Sequence, residues 1–321
     1  MSKTSIVVIV GPTGIGKSEL AVAIGKRWNG EVVSADSMQV YRGMDIGTAK
    51  LTVDEMQGVR HHLIDVIEPT QTCTAALWKT WADEAIAEIA GRGRLPVVCG
   101  GTGLYIRGLT DDLDFSTGSS ESPARAHWRA FLAEHGNTAL YAALVERDPA
   151  RASQLHPNDT KRVLRALEVH DTAERPMSAN YDWSTREGRY RVLMLGLCME
   201  REVLYRRVDD RVDTMWKAGL VEEVAALRRA GVTGEHTCLQ AIGYKEVVDL
   251  LDHRLTEEQA IDTIKRNTRR FVKRQMSWFA RDPRIHWFAK TSDGRFADGE
   301  EQRMWEIISS FVEGISKESP E

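Results

Sequence analysis

The chain has 321 residues, of which 42% are hydrophobic and 28% charged, as is typical of a globular protein with a sizeable core. Its net charge of −4 gives no global cationic field, although a local basic patch would still allow nucleic-acid binding. The four cysteines, Cys73, Cys99, Cys198 and Cys238, form no C-x-x-C pair, so neither a zinc site nor a disulfide framework is indicated. The apolar run Ile6 to Val10 is too short for a signal peptide or a membrane span, and we expect a cytoplasmic location.

The first third of the chain alternates strand-like and helix-like segments. Four apolar, β-branched runs read as strands, namely Ser5 to Val10, Glu31 to Ala35, His62 to Ile67 and Leu95 to Cys99. Lys17 to Trp28 and Thr74 to Ala90 have the periodicity of amphipathic helices. This alternation predicts an α/β fold with a doubly wound parallel sheet.

The pattern changes after about residue 111. A polar, turn-rich segment leads into helical periodicity at His127 to His135, Thr138 to Glu146 and Asn158 to Asp171, the last capped by Asn158 or Asp159. A loose stretch precedes a β-rich run from Arg191 to Leu197, and the chain from Glu200 onward reads as mostly helical. We therefore expect a helical insertion, residues 112–189, within an α/β core formed by residues 1–111 and 190–321.

The clearest motif follows the first strand. Its residues match G-x-x-x-x-G-K-[ST], the phosphate-binding P-loop, and are Gly11, Pro12, Thr13, Gly14, Ile15, Gly16, Lys17 and Ser18. Backbone N–H groups of such a loop, with the positive end of the following helix, hold phosphate oxygens. Lys17 would supply a cation and Ser18 a hydroxyl for Mg²⁺. The motif indicates a bound diphosphate or triphosphate compound without specifying the reaction.

Two further segments follow predicted strands and should border the same crevice. Asp36 ends the second strand, where a carboxylate can accept a proton or hold magnesium through water. Gly100-Gly101-Thr102-Gly103 follows the strand that ends at Cys99, and its glycines allow a close approach to a ligand. A turn aspartate and a tight strand-to-helix turn remain the alternative interpretations of Asp36 and Thr102.

A basic segment lies near the C-terminus. Thr263 to Arg281 contains seven basic residues, no acid and interleaved aromatic residues. Such a helix can track an RNA backbone and would make binding salt-sensitive, although a merely solvated helix is the alternative.

Six segments in consistent order closely resemble the bacterial tRNA dimethylallyltransferase family, also called tRNA isopentenyltransferases. They are GPTGIGKS, SADSMQVYRGMDIGTAK, GGTGLYI, HPNDTKRVLRALEV, QAIGYKE and TRRFVKRQMSWF, and they span about residues 5 to 290. The resemblance implies a P-loop NTPase-like core. It also implies a monomeric enzyme that transfers a dimethylallyl group from dimethylallyl diphosphate to N6 of the adenosine 3′ of the anticodon in tRNAs reading UNN codons.

The resemblance also implies roles for individual residues. Asp36 resembles the general base, Thr102 a residue at the same site, and Arg211 a cation for the leaving pyrophosphate. From the residues alone, Arg211 reads instead as a salt-bridged surface residue, because Asp209, Asp210 and Asp213 are close in sequence. Mg²⁺ is the one cofactor implied, and no spacing for a C-terminal zinc finger is present.

Further segments resemble those that contact tRNA. The implied contact residues, besides Asp36 and Thr102, are Ser37, Met38, Gln39, Arg125, Asp159, Thr160, Lys161, Arg162, Val163, Gln240, Ala241, Ile242, Gly243, Tyr244 and Lys245. Asp159 reads equally well as a helix cap, and Arg125 as a solvated side chain.

Three other functions fit parts of the sequence. A small-molecule kinase would use ATP at the P-loop with the insertion as a lid, but no Arg-rich lid motif is present. An RNA-binding nucleotide switch would need an N-K-x-D motif, which is absent. A prenyltransferase acting on free adenine nucleotide would leave the insertion and the long C-terminal half unexplained.

Overall fold

The computed structural model describes residues 3–113, 115, 122–173 and 188–318. The polar segment around Gly118 and most of the loose stretch after Arg175 lie outside these residues. The chain divides into two compact units, Met1–Asp111 with Gly188–Glu321, and Asp112–Glu187, close to the boundaries expected from the sequence. Within the described residues, no helix is long and apolar enough to cross a membrane.

The larger unit is built on a six-stranded parallel sheet in the order β3-β2-β4-β1-β5-β6. Its strands are β1 (Ser5–Val10), β2 (Gly30–Ser34), β3 (His61–His62), β4 (Leu95–Cys99), β5 (Arg191–Met199) and β6 (Ile285–Lys290). The α/β class predicted from the sequence is confirmed.

Helices surround this sheet and continue the larger unit. They are α1 (Lys17–Arg27), α2 (Val53–Met56), α3 (Ala75–Gly91), α4 (Gly103–Thr110), α8 (Arg201–Lys217), α9 (Leu220–Arg229), α10 (Tyr244–Leu251), α11 (Glu257–Phe279) and α12 (Glu300–Glu318). The smaller unit holds α5 (Pro123–Arg147), α6 (Pro149–Ala152) and α7 (Thr160–Ala173). The local sequence explains where some of these helices begin. Thr74 caps the N-terminus of α3, and Thr256 with Gln259 forms a capping box at the N-terminus of α11.

Strand β1 shows why its apolar run is continuous. Ile6, Val8 and Val10 belong to one buried cluster, whereas Val7 and Ile9 belong to another. Side chains alternate across a strand, so β1 has a hydrophobic core on each face of the sheet. The loops that follow β1, β2 and β4 therefore emerge at one edge of a sheet buried on both sides.

Two strand predictions need correction. The predicted strand at His62 to Ile67 is wrong, because the strand is only His61–His62, and Leu63 and Asp65 then take positive φ angles of 62° and 55°. Such conformations interrupt strand geometry. The mostly helical reading after Glu200 missed β6, which pairs in parallel with β5 from Met194↔Ile285 to Met199↔Lys290.

The smaller unit has its own apolar core, to which Trp128, Leu144 and Val163 contribute. The two helices predicted at His127 to His135 and Thr138 to Glu146 are the two halves of α5. Non-helical angles at Gly136, with φ 76° and ψ 178°, separate these halves. Glycine adopts such a conformation at little steric cost, so the break follows from the sequence.

Candidate active site

The P-loop joins β1 to α1. Gly11, Gly14 and Gly16 have φ angles of 144°, 77° and 92°, conformations that side-chain-bearing residues rarely adopt. Lys17 Nζ donates a hydrogen bond to the Pro12 carbonyl at 2.8 Å, which folds the lysine back over the loop. The loop amides and the N-terminus of α1 thus present a positive concave surface suited to phosphate oxygens.

Burial lowers the pKa of Lys17 to about 8, with Arg211 adding to the fall and Asp36 opposing it. Cys99, at the end of β4, lines the same crevice, and burial raises the pKa of its thiol to about 11. The thiol therefore stays protonated at neutral pH, and the reactive thiolate is not available there. The lysine, by contrast, remains largely charged at pH 7 and can pair with an anion.

The loops after β2 and β4 are joined by hydrogen bonds. Thr102 Oγ1 accepts from the Ser37 N–H at 3.1 Å, and the Thr102 N–H donates to the Ala35 carbonyl at 3.2 Å. Asp36 Oδ1 accepts from the Met38 N–H at 2.8 Å. Asp36 is therefore both a turn aspartate and a crevice residue, and its second carboxylate oxygen has no hydrogen bond from described residues.

Two cavities open at this edge of the sheet. The first, of about 650 Å³, is lined by P-loop residues Thr13 to Ser18 except Ile15, and also by Arg207 and Cys99. The second, of about 340 Å³, is lined by more apolar side chains, among them Met38, Val212 and Phe271. Five residues line both cavities: Thr13, Asp36, Thr48, Arg211 and Met215. The phosphate-binding surface and the more apolar cavity therefore meet at Asp36 and Arg211.

The second cavity gathers several residues predicted to contact tRNA. Those lining it are Asp36, Ser37, Met38, Thr102, Gln240, Ala241, Ile242, Gly243, Tyr244 and Lys245. Gln39 lines the first cavity instead, and its amide accepts from the Ser34 hydroxyl and donates to the Thr48 carbonyl. Three segments that are distant in the sequence, and that the family resemblance singled out, therefore line this cavity together.

Arg211 lies on α8 and faces both cavities. The salt-bridged surface reading is wrong, because Asp209 pairs with Arg269 and Asp213 with Lys265, both on α11. Arg211 has no ion pair or hydrogen bond with described residues. Burial lowers its pKa, and the carboxylates of Asp36, Glu19 and Glu55 oppose that fall. An unpaired, largely desolvated guanidinium of this kind is well placed to receive an anion.

The smaller unit holds the remaining predicted tRNA contacts. Asp159 accepts a hydrogen bond from the Arg162 N–H at 3.4 Å, as expected of the cap of α7. Thr160, Lys161 and Arg162 follow on its first turn, whereas the Val163 side chain is fully buried in the unit's core. Arg125 lies 3.2 Å from buried Glu168, and 30% of its side chain is exposed. The side chain of Val163 is therefore committed to packing and that of Arg125 to an ion pair.

Most of the basic segment belongs to helix α11, and Arg281 follows the end of that helix. Lys265 and Arg269 are held by α8, but Arg266, Arg270, Lys273, Arg274 and Arg281 are exposed to solvent. Arg274 and Phe271 also line the second cavity, and the guanidinium of Arg274 lies 5.6 Å from the ring centre of Phe271. A cationic face therefore adjoins the second cavity.

The described residues contain no group of three or more histidine, cysteine or acidic side chains that could hold a metal ion. Ser18, Glu19 and Asp36, whose side chains carry oxygen atoms, nevertheless line the first cavity. Mg²⁺ in phosphate-binding enzymes keeps several waters and takes one or two protein oxygens besides the phosphates. This donor set therefore fits Mg²⁺ carried by a bound diphosphate.

Two supporting residues were missed by sequence reasoning. Glu223 on α9 accepts hydrogen bonds from the N–H groups of Asp45, Ile46 and Gly47 and from the Tyr244 hydroxyl. Gln275 on α11 contacts both the P-loop and the loop after β4. Glu223 belongs to no motif, and Gln275 lies within the segment TRRFVKRQMSWF, which assigned it no role; only their long-range contacts identify them.

Known proteins resemble this chain over most of its length. A model of the family described as "IPP transferase" matches residues 39–282, and one described as "Isopentenyl transferase" matches residues 4–71. A tRNA dimethylallyltransferase from Carboxydothermus hydrogenoformans is 46% identical over 286 residues, covering 88% of this chain and 91% of that protein. One from Geobacillus kaustophilus is 43% identical, with 96% of each chain covered.

Two solved structures of tRNA-modifying transferases also resemble this chain. The crystal structure of a tRNA isopentenylpyrophosphate transferase from Bacillus halodurans superposes with a TM-score of 0.73 at 42% identity, covering 98% of this chain and 99% of that one. A eukaryotic dimethylallyltransferase acting on tRNA superposes with a TM-score of 0.82 at 30% identity, covering 97% and 80%. These relatives do not favour the small-molecule kinase alternative.

Proposed function

Because this chain belongs to the IPP transferase family, the tRNA dimethylallyltransferases, we propose that it transfers a dimethylallyl group from dimethylallyl diphosphate to tRNA. The acceptor is N6 of the adenosine 3′ of the anticodon, in tRNAs reading UNN codons, and pyrophosphate leaves. The enzyme acts as a monomer in the cytoplasm, where its tRNA substrate is found.

The meeting of the two cavities at Asp36 and Arg211 is the observation that carries this proposal. A prenyl transfer needs one site for a diphosphate and another for a base, with the reacting carbon between them. The first cavity supplies the P-loop, and the second supplies an apolar site beside a cationic helix. An ATP-dependent kinase would also need an acceptor site, so it is the relatives, named as tRNA dimethylallyltransferases, that argue against the kinase alternative.

In the first cavity, the protein promotes the reaction by electrostatic stabilisation of the leaving group. Negative charge builds on pyrophosphate as the allylic C–O bond breaks, and preorganised cations and amides stabilise it. Lys17 and the P-loop amides reach it from the loop, and the unpaired Arg211 from α8. Mg²⁺, held by Ser18 and the diphosphate, would neutralise part of the same charge. The loop amides, Lys17 and Arg211, with the metal when bound, would all stabilise negative charge on the same leaving group.

At the acceptor end, the nucleophile is weak. The lone pair of the adenine N6 amine is delocalised into the ring, so the amine must lose a proton as its bond to carbon forms. The Asp36 carboxylate is held through Oδ1 by the Met38 N–H and has its other oxygen available at the junction of the cavities. Asp36 accepts the N6 proton as general base.

The target base must leave its stack to reach Asp36, at a cost of a few kcal/mol. Apolar side chains of the second cavity, such as Met38 and Phe271, can hold the extruded ring. Exposed cations on α11 would meanwhile pair with the phosphates of the anticodon loop.

The proposal is tested with radiolabelled dimethylallyl diphosphate and Mg²⁺, offering unmodified tRNA or free AMP as acceptor. Label entering tRNA, and mapping to the adenosine after the anticodon, is the expected result. Label entering AMP alone would identify a free-nucleotide prenyltransferase. Phosphate transfer from ATP, with no label in either acceptor, would support the kinase alternative instead.

A further inference from the structure

Gln275 on α11 is buried, with 5% of its surface exposed, and its amide uses both of its ends. Oε1 accepts a hydrogen bond from the Thr13 N–H of the P-loop at 3.0 Å. Nε2 donates to the Gly101 carbonyl, in the loop after β4, also at 3.0 Å. One side chain therefore ties together two loops separated by almost ninety residues of sequence, and both loops line the first cavity.

The contact with the second loop is close. A Cβ atom added to Gly101 would lie 2.2 Å from Nε2 of Gln275, so glycine at this position is what allows the amide to reach the carbonyl. The same hypothetical atom would lie 3.6 Å from the Gly11 carbonyl, which shows how near the two loops run. The Gln275 amide therefore bridges two loops that run close together.

The helix carrying Gln275 also serves the second cavity. Phe271 and Arg274, within one turn of Gln275, line that cavity. Thr13, the P-loop residue that Gln275 holds, lines both cavities. We propose that Gln275 is a positioning residue. It fixes the P-loop against the glycine loop and ties both to the helix that borders the acceptor cavity. This role rests on the proposed transfer reaction.

The two hydrogen bonds of the Gln275 amide suggest which substitutions test this role. In Gln275→Glu, a protonated carboxyl keeps one acceptor for Thr13 and one O–H donor for Gly101, whereas an ionised carboxylate has no donor. Burial favours the neutral acid and raises its pKa toward neutrality. Gln275→Met has similar volume and neither hydrogen bond. Gln71→Glu is the matched control, because the Gln71 amide oxygen also accepts a backbone N–H, from Glu68, on an exposed loop.

The measurement is kcat/KM for dimethylallyl diphosphate between pH 6 and 8.5, with pyrophosphate binding in Mg²⁺ by calorimetry and a thermal melt at each pH. We expect Gln275→Met to melt cooperatively yet lose about tenfold or more in both kcat/KM and pyrophosphate affinity. At pH 8.5, Gln275→Glu should lose as much kcat/KM as Gln275→Met. At pH 6, its kcat/KM should rise several-fold relative to that of wild type. Gln71→Glu should follow wild type throughout.

A constant ratio of Gln275→Glu to wild type across this pH range, or a fully active Gln275→Met, would overturn the proposal. If Gln275→Glu unfolds at high pH, kcat/KM and pyrophosphate affinity of the folded Gln275→Met variant still test whether Gln275 positions the two loops. If wild type transfers no label to tRNA, the proposed function fails, and the pyrophosphate affinities still report on Gln275 separately.

Discussion

Asp209 on α8 accepts a hydrogen bond from Arg269 on α11, with Oδ1 2.7 Å from Nη1. Asp213, one turn after Asp209 on α8, and Lys265, one turn before Arg269 on α11, form a second ion pair of 2.7 Å. These pairs commit two acids near Arg211 to another helix. Arg211 is thus left without a partner among the described residues, at the junction of the two cavities.

Replacing Arg211 should impair chemistry more than folding. Arg211→Gln removes a cation from the leaving pyrophosphate, and we expect kcat to fall about 10²-fold, as for loss of one preorganised charge-stabilising group. The melting temperature should hold, because no ion pair of Arg211 is lost and a buried charge is removed. Single-turnover transfer and thermal melts measure the two effects. Arg206→Gln, an exposed arginine on the same helix, is the control, and equal losses in both variants would exclude a specific role for Arg211.

Lys17 predicts a pH dependence of substrate binding. Burial lowers its pKa to about 8 in the free protein, so its positive charge is present below that pH and lost above it. The KM for dimethylallyl diphosphate should therefore rise as pH increases from 7 to 9.5. In Lys17→Arg, whose guanidinium stays charged, KM should be nearly flat over the same range. A flat wild-type profile would show that Lys17 does not pair with the diphosphate in this way.

The exposed cations of α11 predict salt-sensitive tRNA binding. Arg270→Gln with Lys273→Gln should weaken tRNA binding at low salt and lower the slope of log K against log salt by up to about 2. The rate of transfer within the bound complex should change little. Filter binding at several salt concentrations measures the slope, and Lys217→Gln with Arg229→Gln provides an equal charge change on exposed residues of other helices. An unchanged slope in the α11 variant would favour the solvated-helix interpretation.

Glu223 predicts a stability effect localised to one loop. Its Oε2 accepts from the N–H groups of Asp45 and Ile46 at 2.8 and 2.7 Å, and its Oε1 from the Tyr244 hydroxyl at 2.6 Å. Burial raises the pKa of Tyr244, so that hydroxyl remains a donor. Glu223→Gln turns an amide N–H₂ toward donors at one of these positions and should cost about 1–3 kcal/mol of unfolding free energy.

Hydrogen exchange should locate this effect. Protection of the amides of residues 45–47 should fall in Glu223→Gln, together with affinity for substrates, because residues 45, 46 and 48–52 line the first cavity. The adjacent, exposed Glu222→Gln should leave both unchanged. Normal protection in Glu223→Gln would mean that the carboxylate does not hold this loop.

The parts of the fold and site predicted from sequence are those encoded locally. The β1 run, the P-loop and the break at Gly136 depend on neighbouring residues. Strand β6 was missed because its six residues follow Pro283 in a mostly helical region and become a strand only by pairing with β5.

The environment of Arg211 shows most clearly which features could not be predicted from the sequence. The acids near it in sequence suggested a surface ion-pair network, and nothing local reveals that Arg269 and Lys265 take two of them. Gln275 illustrates the same limit, since its partners, Thr13 and Gly101, lie 262 and 174 residues away. Long-range pairing, rather than residue type, decides which side chains reach the cavities.

Transfer by Asp36→Asn tests the central claim most directly. Asparagine keeps the turn hydrogen bond to Met38 but cannot take the N6 proton, so single-turnover label transfer to tRNA should fall about 10²-fold or more while pyrophosphate affinity stays near wild type. Asp262→Asn, an exposed acid on α11, should transfer normally. Transfer by Asp36→Asn at the wild-type rate would contradict the account, because the reaction would then need no base at the junction of the two cavities.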